Sequence, residues 1–247
     1  MNISSNTYST DTPVHDFIFN RSYATDFNLL VSEYPNIPSL NEEVEEVLIP
    51  NRSSSLTIRK NENEYRDRQI KFKLKMIDIE YFWEEIDAIK VWLSDIKDNK
   101  LYYDREDRYF VVKRVIVGDI FKELRMYGEF EITFIVKPFL IGMTNSNIFL
   151  ENNFIVKNPS NFEVNPLITL YGNGNLQLTI NDEITIINNV VNQVNINSEL
   201  MICTNEDGSN KLIDMLGNFP TLPVGNNNIV VSGNVVKTTI KFDNLYR

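Results

Sequence analysis

Between residues 147 and 243 the sequence repeats one pattern, in which short runs of alternating apolar and polar residues are separated by residues that favour turns. Alternation with a period of two is typical of a β-strand that has one face in a core and the other in solvent. Short strands at regular spacing predict an antiparallel sandwich or barrel. The runs are NIFLENNFIV, NPLITLYG, NLQLTIN, EITIIN, VVNQVNI, ELMICTN, NNIVVSG and VVKTTIKFD.

Two of these runs predict which side chains face the core, because neighbouring side chains of a strand point to opposite faces. In NLQLTIN the inward residues are Leu176, Leu178 and Ile180, and the outward residues are Gln177 and Thr179. In VVKTTIKFD one face carries Val236, Thr238, Ile240 and Phe242, and the other carries Lys237, Thr239 and Lys241.

The glycines of YGNGN, residues 171–175, allow two interpretations. A Gly-x-Gly sequence can cradle a phosphate, but such loops lead directly into a helix whose N-terminus faces the anion. Here the strand pattern LQLTIN follows, and a third glycine is absent from the segment. We therefore predict that Gly172 and Gly174 are hairpin glycines that supply positive φ angles.

The distribution of charge divides the chain. Most of the 24 Lys and Arg and the 34 Asp and Glu residues precede Leu140, whereas Asn is concentrated after it. Asn tolerates left-handed backbone and suits tight turns. We expect two domains, residues 1–140 and residues 141–247, with the junction in KPFLIGMTNSN at residues 137–147.

One helix is expected in the first domain. In DIEYFWEEIDAIKVWLSDI, residues 78–96, apolar residues recur every three or four positions, which predicts a helix over about residues 79–96 with Asp78 as its N-cap. Its buried face is expected to comprise Ile79, Phe82, Trp83, Ile86, Ile89 and Leu93.

The rest of the first domain reads as strands. SLTIRK and QIKFKLKMI are predicted to pair across NENEYRDR, and LYYDREDRYFVVKRVIVGDI to form a hairpin with a charged tip. In GEFEITFIVKPF the residues of one face are Phe130, Ile132, Phe134 and Val136. The alternating Lys71, Lys73 and Lys75 either contact phosphates or form a solvated face that discourages edge aggregation, and we favour the second interpretation.

Residues 32–50, SEYPNIPSLNEEVEEVLIP, contain three prolines and five glutamates and lack a regular pattern. We interpret them as an extended segment, here called the arm. A loop of this length in a compact domain is usually functional or disordered.

The chain offers little for catalysis or metal binding. Cys203 is the only cysteine and His15 the only histidine, which excludes an internal disulfide and a CxxC zinc site. The net charge of −10 disfavours stable nucleic-acid binding, which needs a basic face. Apolar runs stay well below the roughly 18 residues of a membrane span, and MNISSNTYST lacks the features of a secretory signal. We predict no catalytic, cofactor or metal site.

Several segments in sequence order carry a resemblance to a known family. YPNIP and VLIPNRSSSL match prolines followed by a P-G-R-x-G-x-L turn, KVWLS matches the W-L that ends a helix, and GEFEITFIVKPF matches F-x-V-T-F-x-x-K-P-F. The remaining segments are NPSNFEVNPLITLYGNGNLQLTIN, SELMICT and GNFPTLPVGNNNIVVSG. Together they resemble the distal tail protein (Dit) family of long-tailed phages. Asn51, Ser53 and Ser54 depart from it, because the family often has glycines there.

The resemblance implies a mainly β fold, with an N-terminal β-rich domain that has one α-helix and a C-terminal galectin-like antiparallel β-sandwich. It implies a non-enzymatic virion protein of the distal tail tip, synthesised in the host cytoplasm and not inserted in a membrane. It further implies that six copies form a ring that joins the tail tube protein to tail-tip proteins, with receptor-binding or baseplate proteins as further candidate partners and with DNA passing through in transit.

A closed ring needs a head-to-tail contact between two different patches. We assign the arm to one of them, because its sequence lacks a core pattern, and we count the exposed sheet edges of the first domain as further candidates. The candidate interface residues are Glu33, Tyr34, Pro35, Ile37, Pro38, Val44 and Val47.

Two other functions were considered. Galectin-like sandwiches often bind sugars through aromatic residues, so a carbohydrate-binding module is the alternative, with Tyr171 and Phe219 as stacking candidates against their packing in a core or turn. A tail-associated glycosidase needs two carboxylates about 5–10 Å apart, and no segment points to such a pair.

Overall fold

A computed structural model describes residues 16–51, 53–59, 65–77 and 82–247. The chain forms two compact units, Met1–Pro138 and Phe139–Arg247, each described by itself below. Strands predominate, which confirms the mainly β fold class. His15, Asp78 and Ile79 lie outside the described residues. No helix in the described ranges is long and apolar enough to cross a membrane.

Unit 1 is a mostly antiparallel sheet with two helices. Its strands are β1 (Phe17–Phe19), β2 (Ser22–Tyr23), β3 (Leu29–Val31), β4 (Val44–Val47), β5 (Leu56–Arg59), β6 (Arg68–Met76), β7 (Lys100–Tyr103), β8 (Tyr109–Val117) and the first part of β9 (Glu129–Phe149). Its helices are α1 (Phe82–Ser94) and α2 (Ile120–Tyr127). The sheet order is β2-β1-β7-β8-β9-β6-β3, and β4 and β5 form a separate two-stranded sheet.

The predicted pairing of SLTIRK with QIKFKLKMI is wrong. β5 pairs with β4, and β6 pairs with β9 from Arg68↔Val136 to Lys75↔Glu129. The reason is that β6 has a continuous apolar face, which the long alternating β9 can extend, whereas β5 exposes Leu56 and Ile58 and contributes no core face. Residues 44–47 of the arm form β4, so this part of the extended segment is a paired strand.

Aromatic side chains fill the core of unit 1. Phe19 meets Phe134 edge to face with ring centroids 4.9 Å apart, and Trp92 stacks on Phe17 at 5.8 Å. Trp92 Nε1 also donates a hydrogen bond of 2.8 Å to the Phe19 carbonyl. Trp92 thus connects α1 to β1 by both a ring contact and a hydrogen bond.

The buried face of α1 differs from the predicted one. α1 ends at Ser94, two residues before the predicted end, and its buried residues are Ile86, Ile89, Trp92 and Leu93. Trp83 is 58% exposed, so its assignment to the core is wrong. The Trp83 ring instead stacks on the ring of Phe121, with the centroids 4.5 Å apart. Phe121 belongs to α2, a helix that was not predicted from the sequence.

Unit 2 is an antiparallel sandwich. Its strands are the remainder of β9, β10 (Asn153–Asn158), β11 (Leu167–Ile180), β12 (Glu183–Val190), β13 (Gln193–Asn197), β14 (Ile202–Asn205), β15 (Met215–Leu216) and β16 (Gly225–Tyr246). One sheet has the order β14-β13-β11-β16-β9 and the other β15-β12-β11-β16-β10. β11 and β16 therefore belong to both sheets, each sheet using a different half of each strand. The inward faces predicted from alternation are buried at Leu176, Leu178, Ile180, Thr238, Ile240 and Phe242.

The predicted hairpin at Gly172 and Gly174 is absent, because β11 continues through both glycines. The register between β11 and β16 shifts between Tyr171 and Gly172 and again between Asn173 and Gln177, so the strand bulges where it passes from one sheet to the other. Gly174 has φ +87°, whereas a Cβ on Gly172 would lie 2.2 Å from the Asn234 carbonyl oxygen. The glycines permit a bend and a close backbone approach, and the chain reverses instead between Ile180 and Glu183.

The same bulge explains one error in the predicted faces. Tyr171 pairs with Lys237 and Gly172 with Val235, which leaves Val236 without a partner across the ladder. Val236 is 66% exposed, although alternation placed it on the inward face.

Candidate interaction surface

Backbone hydrogen bonds hold the arm at two points, one on β6 and one at Arg66, two residues before β6 begins. The Ser32 amide donates 2.9 Å to the Lys73 carbonyl, and the Arg66 amide donates 3.0 Å to the Asn41 carbonyl. Glu33 adds an ion pair of 3.0 Å to Lys73, which Glu129 also contacts at 2.9 Å. The hydrogen bond to Glu129, followed by that to Glu33, raises the pKa of the Lys73 ammonium.

Beyond the arm's extended part, β4 and β5 form a hairpin, here called the arm hairpin (residues 44–59). Apolar side chains around its strands remain exposed, including Leu48 at 84%, Ile49, Leu56 and Ile58. A two-stranded hairpin is marginally stable in water unless a third element covers it. Exposed apolar side chains grouped in this way favour contact with another surface.

The seven candidate interface residues lie on this continuous stretch. Glu33, Tyr34 and Ile37 are exposed, whereas Pro35, Pro38, Val44 and Val47 are half-buried. Glu33 contacts Lys73 of β6, whereas Val44 and Val47 lie in β4. The exposed hairpin residues Leu48, Ile49, Leu56 and Ile58 were not among the predicted ones. The available signal was the apolar pattern of VLIP and SLTI on both sides of a turn.

Arg68 is the residue that sequence reasoning overlooked. Its side chain is 5% exposed, its Nε donates 2.5 Å to the Pro138 carbonyl, and its Nη1 donates 3.4 Å to the Pro38 carbonyl of the arm. Its guanidinium carbon lies 5.5 Å from the Phe110 ring centroid. Burial lowers the pKa of this guanidinium. The available signal in the sequence was the strand alternation, because Arg68 lies two residues before Ile70 and therefore on the same buried face of β6.

The lysines of β6 are engaged by carboxylates. Lys71 lies 3.1 Å from Glu131, and Lys73 contacts Glu129, both on the neighbouring β9. These cross-strand pairs are exposed and each contributes little to stability. They support the interpretation of a solvated sheet face over that of a phosphate contact.

The two sugar-stacking candidates are placed unfavourably for that role. Lys237 Nζ lies 3.8 Å from the Tyr171 ring centroid and covers one ring face, and Phe219 packs against the core of unit 2. The structure does not bring these two residues together as a platform.

Acidic side chains provide structural contacts. In a cavity of about 280 Å³ in unit 1, Asp16 accepts hydrogen bonds from the Phe17 and Ala24 amides and from the Thr25 hydroxyl. In the β7–β8 turn, a hydrogen bond from Arg105 lowers the pKa of Asp107. Within the described ranges, no group of three or more His, Cys, Asp or Glu side chains is arranged to hold a metal ion.

The comparisons with known proteins agree with this architecture. No protein-family model and no curated protein matches the chain. Among solved structures, the SPP1 Dit (gp 19.1) protein, described as a paradigm of the hub adsorption apparatus in phages that infect Gram-positive hosts, is similar with a TM-score of 0.71 and 14% identity. That match covers 95% of this chain and 100% of SPP1 Dit. The phage P2 baseplate with calcium is more distant, with a TM-score of 0.46 and 12% identity over 93% of this chain and 97% of that chain. The chain therefore has the fold of the SPP1 Dit protein.

Proposed function

We propose that this chain is a structural protein of a phage tail, located in the virion at the distal tip and acting as a hub of the host-adsorption apparatus. The observation that carries the proposal is the similarity to SPP1 Dit over nearly the full length of both chains. The residues quoted for the family resemblance support it independently, because they follow the same order along the sequence.

The hub is a ring of six identical copies joined by heterologous contacts. The arm and the arm hairpin form one side of each contact. This assignment is supported by the exposed Tyr34, Leu48 and Ile58. Their apolar surface is removed from water only when another surface covers it.

The proposed partners are the tail tube protein on one side of the ring and tail-tip, receptor-binding or baseplate proteins on the other, with DNA in transit through the centre. The negative net charge suits a passage along which DNA slides without sticking. The proposed role involves no catalysis, which agrees with the structural use of Asp16 and Asp107.

The experiment that tests the proposal is mass photometry of the full chain combined with negative-stain imaging. We expect particles of six times 28.8 kDa with ring-shaped projections. Leu48→Asp is expected to yield single copies, and Leu150→Asp serves as the matched control because Leu150 is also highly exposed but belongs to unit 2. Single copies of the unmodified chain at every concentration overturn the proposal.

A further inference from the structure

We propose that Arg68 is the residue that positions the arm, by bridging the arm to the body of unit 1 across a stretch where backbone pairing is missing. The contact itself depends only on this chain. Its consequence for assembly rests on the function proposed above.

The first step concerns the edge of β6. β3 pairs with β6 as far as Val31↔Leu74, and the Ser32 amide extends the pairing to Lys73. Pairing resumes only near the Asn41 carbonyl. For residues 35–40, no backbone–backbone hydrogen bond to β6 is present within the described part of the chain. Pro35 and Pro38 cannot donate one, because proline lacks an amide hydrogen.

The second step concerns what replaces that pairing. The Arg68 guanidinium reaches the Pro38 carbonyl at 3.4 Å in the middle of this unpaired stretch. The same side chain holds the Pro138 carbonyl at 2.5 Å on β9. The Arg68 guanidinium thus links the arm to β9, which lies on the other side of β6.

The third step concerns why the residue is arginine. A guanidinium presents donors in several fixed directions, whereas a lysine ammonium is a compact point charge that cannot span two carbonyls in the same geometry. Arg68 Nη2 is buried and has no hydrogen-bond partner among the described residues. Burial of an incompletely satisfied cation is costly. Arg68 nevertheless stands on the strand face that otherwise carries Ile70, Phe72 and Leu74, which points to a role beyond core filling.

For the proposed ring, the consequence is directional. The arm hairpin includes the last residues of the arm, so the position of Pro38 sets where Leu48 is presented to the next copy. An arm that keeps its two ends but loses its middle support presents the hairpin over a wider range of positions, which raises the entropy lost on association.

The contact is tested on single copies, in a Leu48→Asp background. A nitroxide is attached to Ile37→Cys, since Ile37 is exposed and the native Cys203 is buried and does not compete for the label. Arg68→Lys and Arg68→Met are expected to increase label mobility in the electron paramagnetic resonance spectrum. Lys71→Met is the control on the same strand, because Lys71 contacts Glu131 and not the arm. A label that stays equally immobile in Arg68→Lys overturns the proposal.

The consequence is tested by association of the chain with native Leu48. Arg68→Lys is expected to weaken association about tenfold, while its thermal midpoint stays within a few degrees of the unmodified chain. A freed label together with unchanged association overturns the positioning role. If the unmodified chain itself does not associate, the proposed function fails, and the label experiment still decides whether Arg68 holds the arm.

Discussion

At the scale of single residues, the side chain of Asn20 caps the C-terminal end of α1. Its Nδ2 donates 2.9 Å to the Trp92 carbonyl and 2.8 Å to the Asp95 carbonyl at the end of α1. Its Oδ1 accepts hydrogen bonds from the Lys97 and Asp98 amides. One side chain thus satisfies groups that a helix terminus leaves unpaired.

Asn20→Ala is therefore expected to lower the free energy of unfolding of unit 1 by about 2 kcal/mol. Tryptophan fluorescence in a urea titration measures this unit selectively, because Trp83 and Trp92 both lie in it. Asn99→Ala is the control, since Asn99 is exposed in the same loop. Equal losses in the two variants contradict the capping role.

Cys203 leads to a prediction about pH. Burial raises the pKa of its thiol from 9.0 to about 11. The folded state therefore retains the proton that the unfolded state releases, so the stabilisation is complete below pH 9.0 and is lost as the pH rises towards 11.

Relative to Cys203→Ala, the unmodified chain is expected to lose at most roughly 3 kcal/mol across that interval. The measurement is urea unfolding followed by circular dichroism on both sides of the unfolded-state pKa. Parallel pH profiles of the two proteins contradict the prediction, because the cavity left by alanine does not titrate.

At the scale of elements, alternation predicted which faces are buried but not which strands pair. The inward Leu176 and Ile180 follow from their own neighbours in sequence. The partner of β5 does not, because pairing depends on which strands supply a continuous core face. α2 was missed because residues 121–127, between the predicted hairpin and the predicted strand GEFEITFIVKPF, were assigned to no element, although Asp119 caps the start of α2 and Gly128 its end.

The Arg68 contact could be predicted from sequence only in part. Strand parity predicts a buried guanidinium at that position. Its acceptors are carbonyls of Pro38 and Pro138, which are distant in sequence and carry no side-chain signal. The arm residues, by contrast, were singled out because prolines and glutamates interrupt any core pattern, and their place in an interface stays a prediction.

The bend shared by β11 and β16 predicts a ranking of two glycine substitutions. Gly233 has φ +100°, and a Cβ there would lie 2.5 Å from the Asn175 carbonyl oxygen. Gly174 has φ +87° with open space around it. Gly174→Ala is expected to cost about 1 kcal/mol through backbone strain alone, and Gly233→Ala clearly more because the backbone must also move apart. Thermal unfolding by circular dichroism measures both, and a reversed order contradicts this account.

At the scale of the whole molecule, assembly brings together copies that each carry a net charge of −10. Like charges repel over about a Debye length, whereas burial of the exposed Leu48, Ile49, Leu56 and Ile58 of the arm hairpin does not depend on such repulsion. Added salt is therefore expected to favour the proposed ring.

Mass photometry from about 0.05 M to about 0.5 M NaCl tests this expectation, since the Debye length shortens severalfold over that range. We expect the fraction of single copies to fall as salt rises. A rising fraction indicates that ion pairs across the contact outweigh the repulsion, and it contradicts an interface dominated by apolar burial.

Because β11 and β16 each run through both sheets of unit 2, the two sheets cannot separate without disrupting these two strands. β11 and β16 are also the central strands of each sheet, so separating the sheets breaks the pairing within both of them. Local unfolding that begins in one sheet therefore also involves the other sheet. Such coupling benefits a protein that must withstand mechanical load. Native-state hydrogen exchange is accordingly expected to show the central amides of both layers opening in a single step.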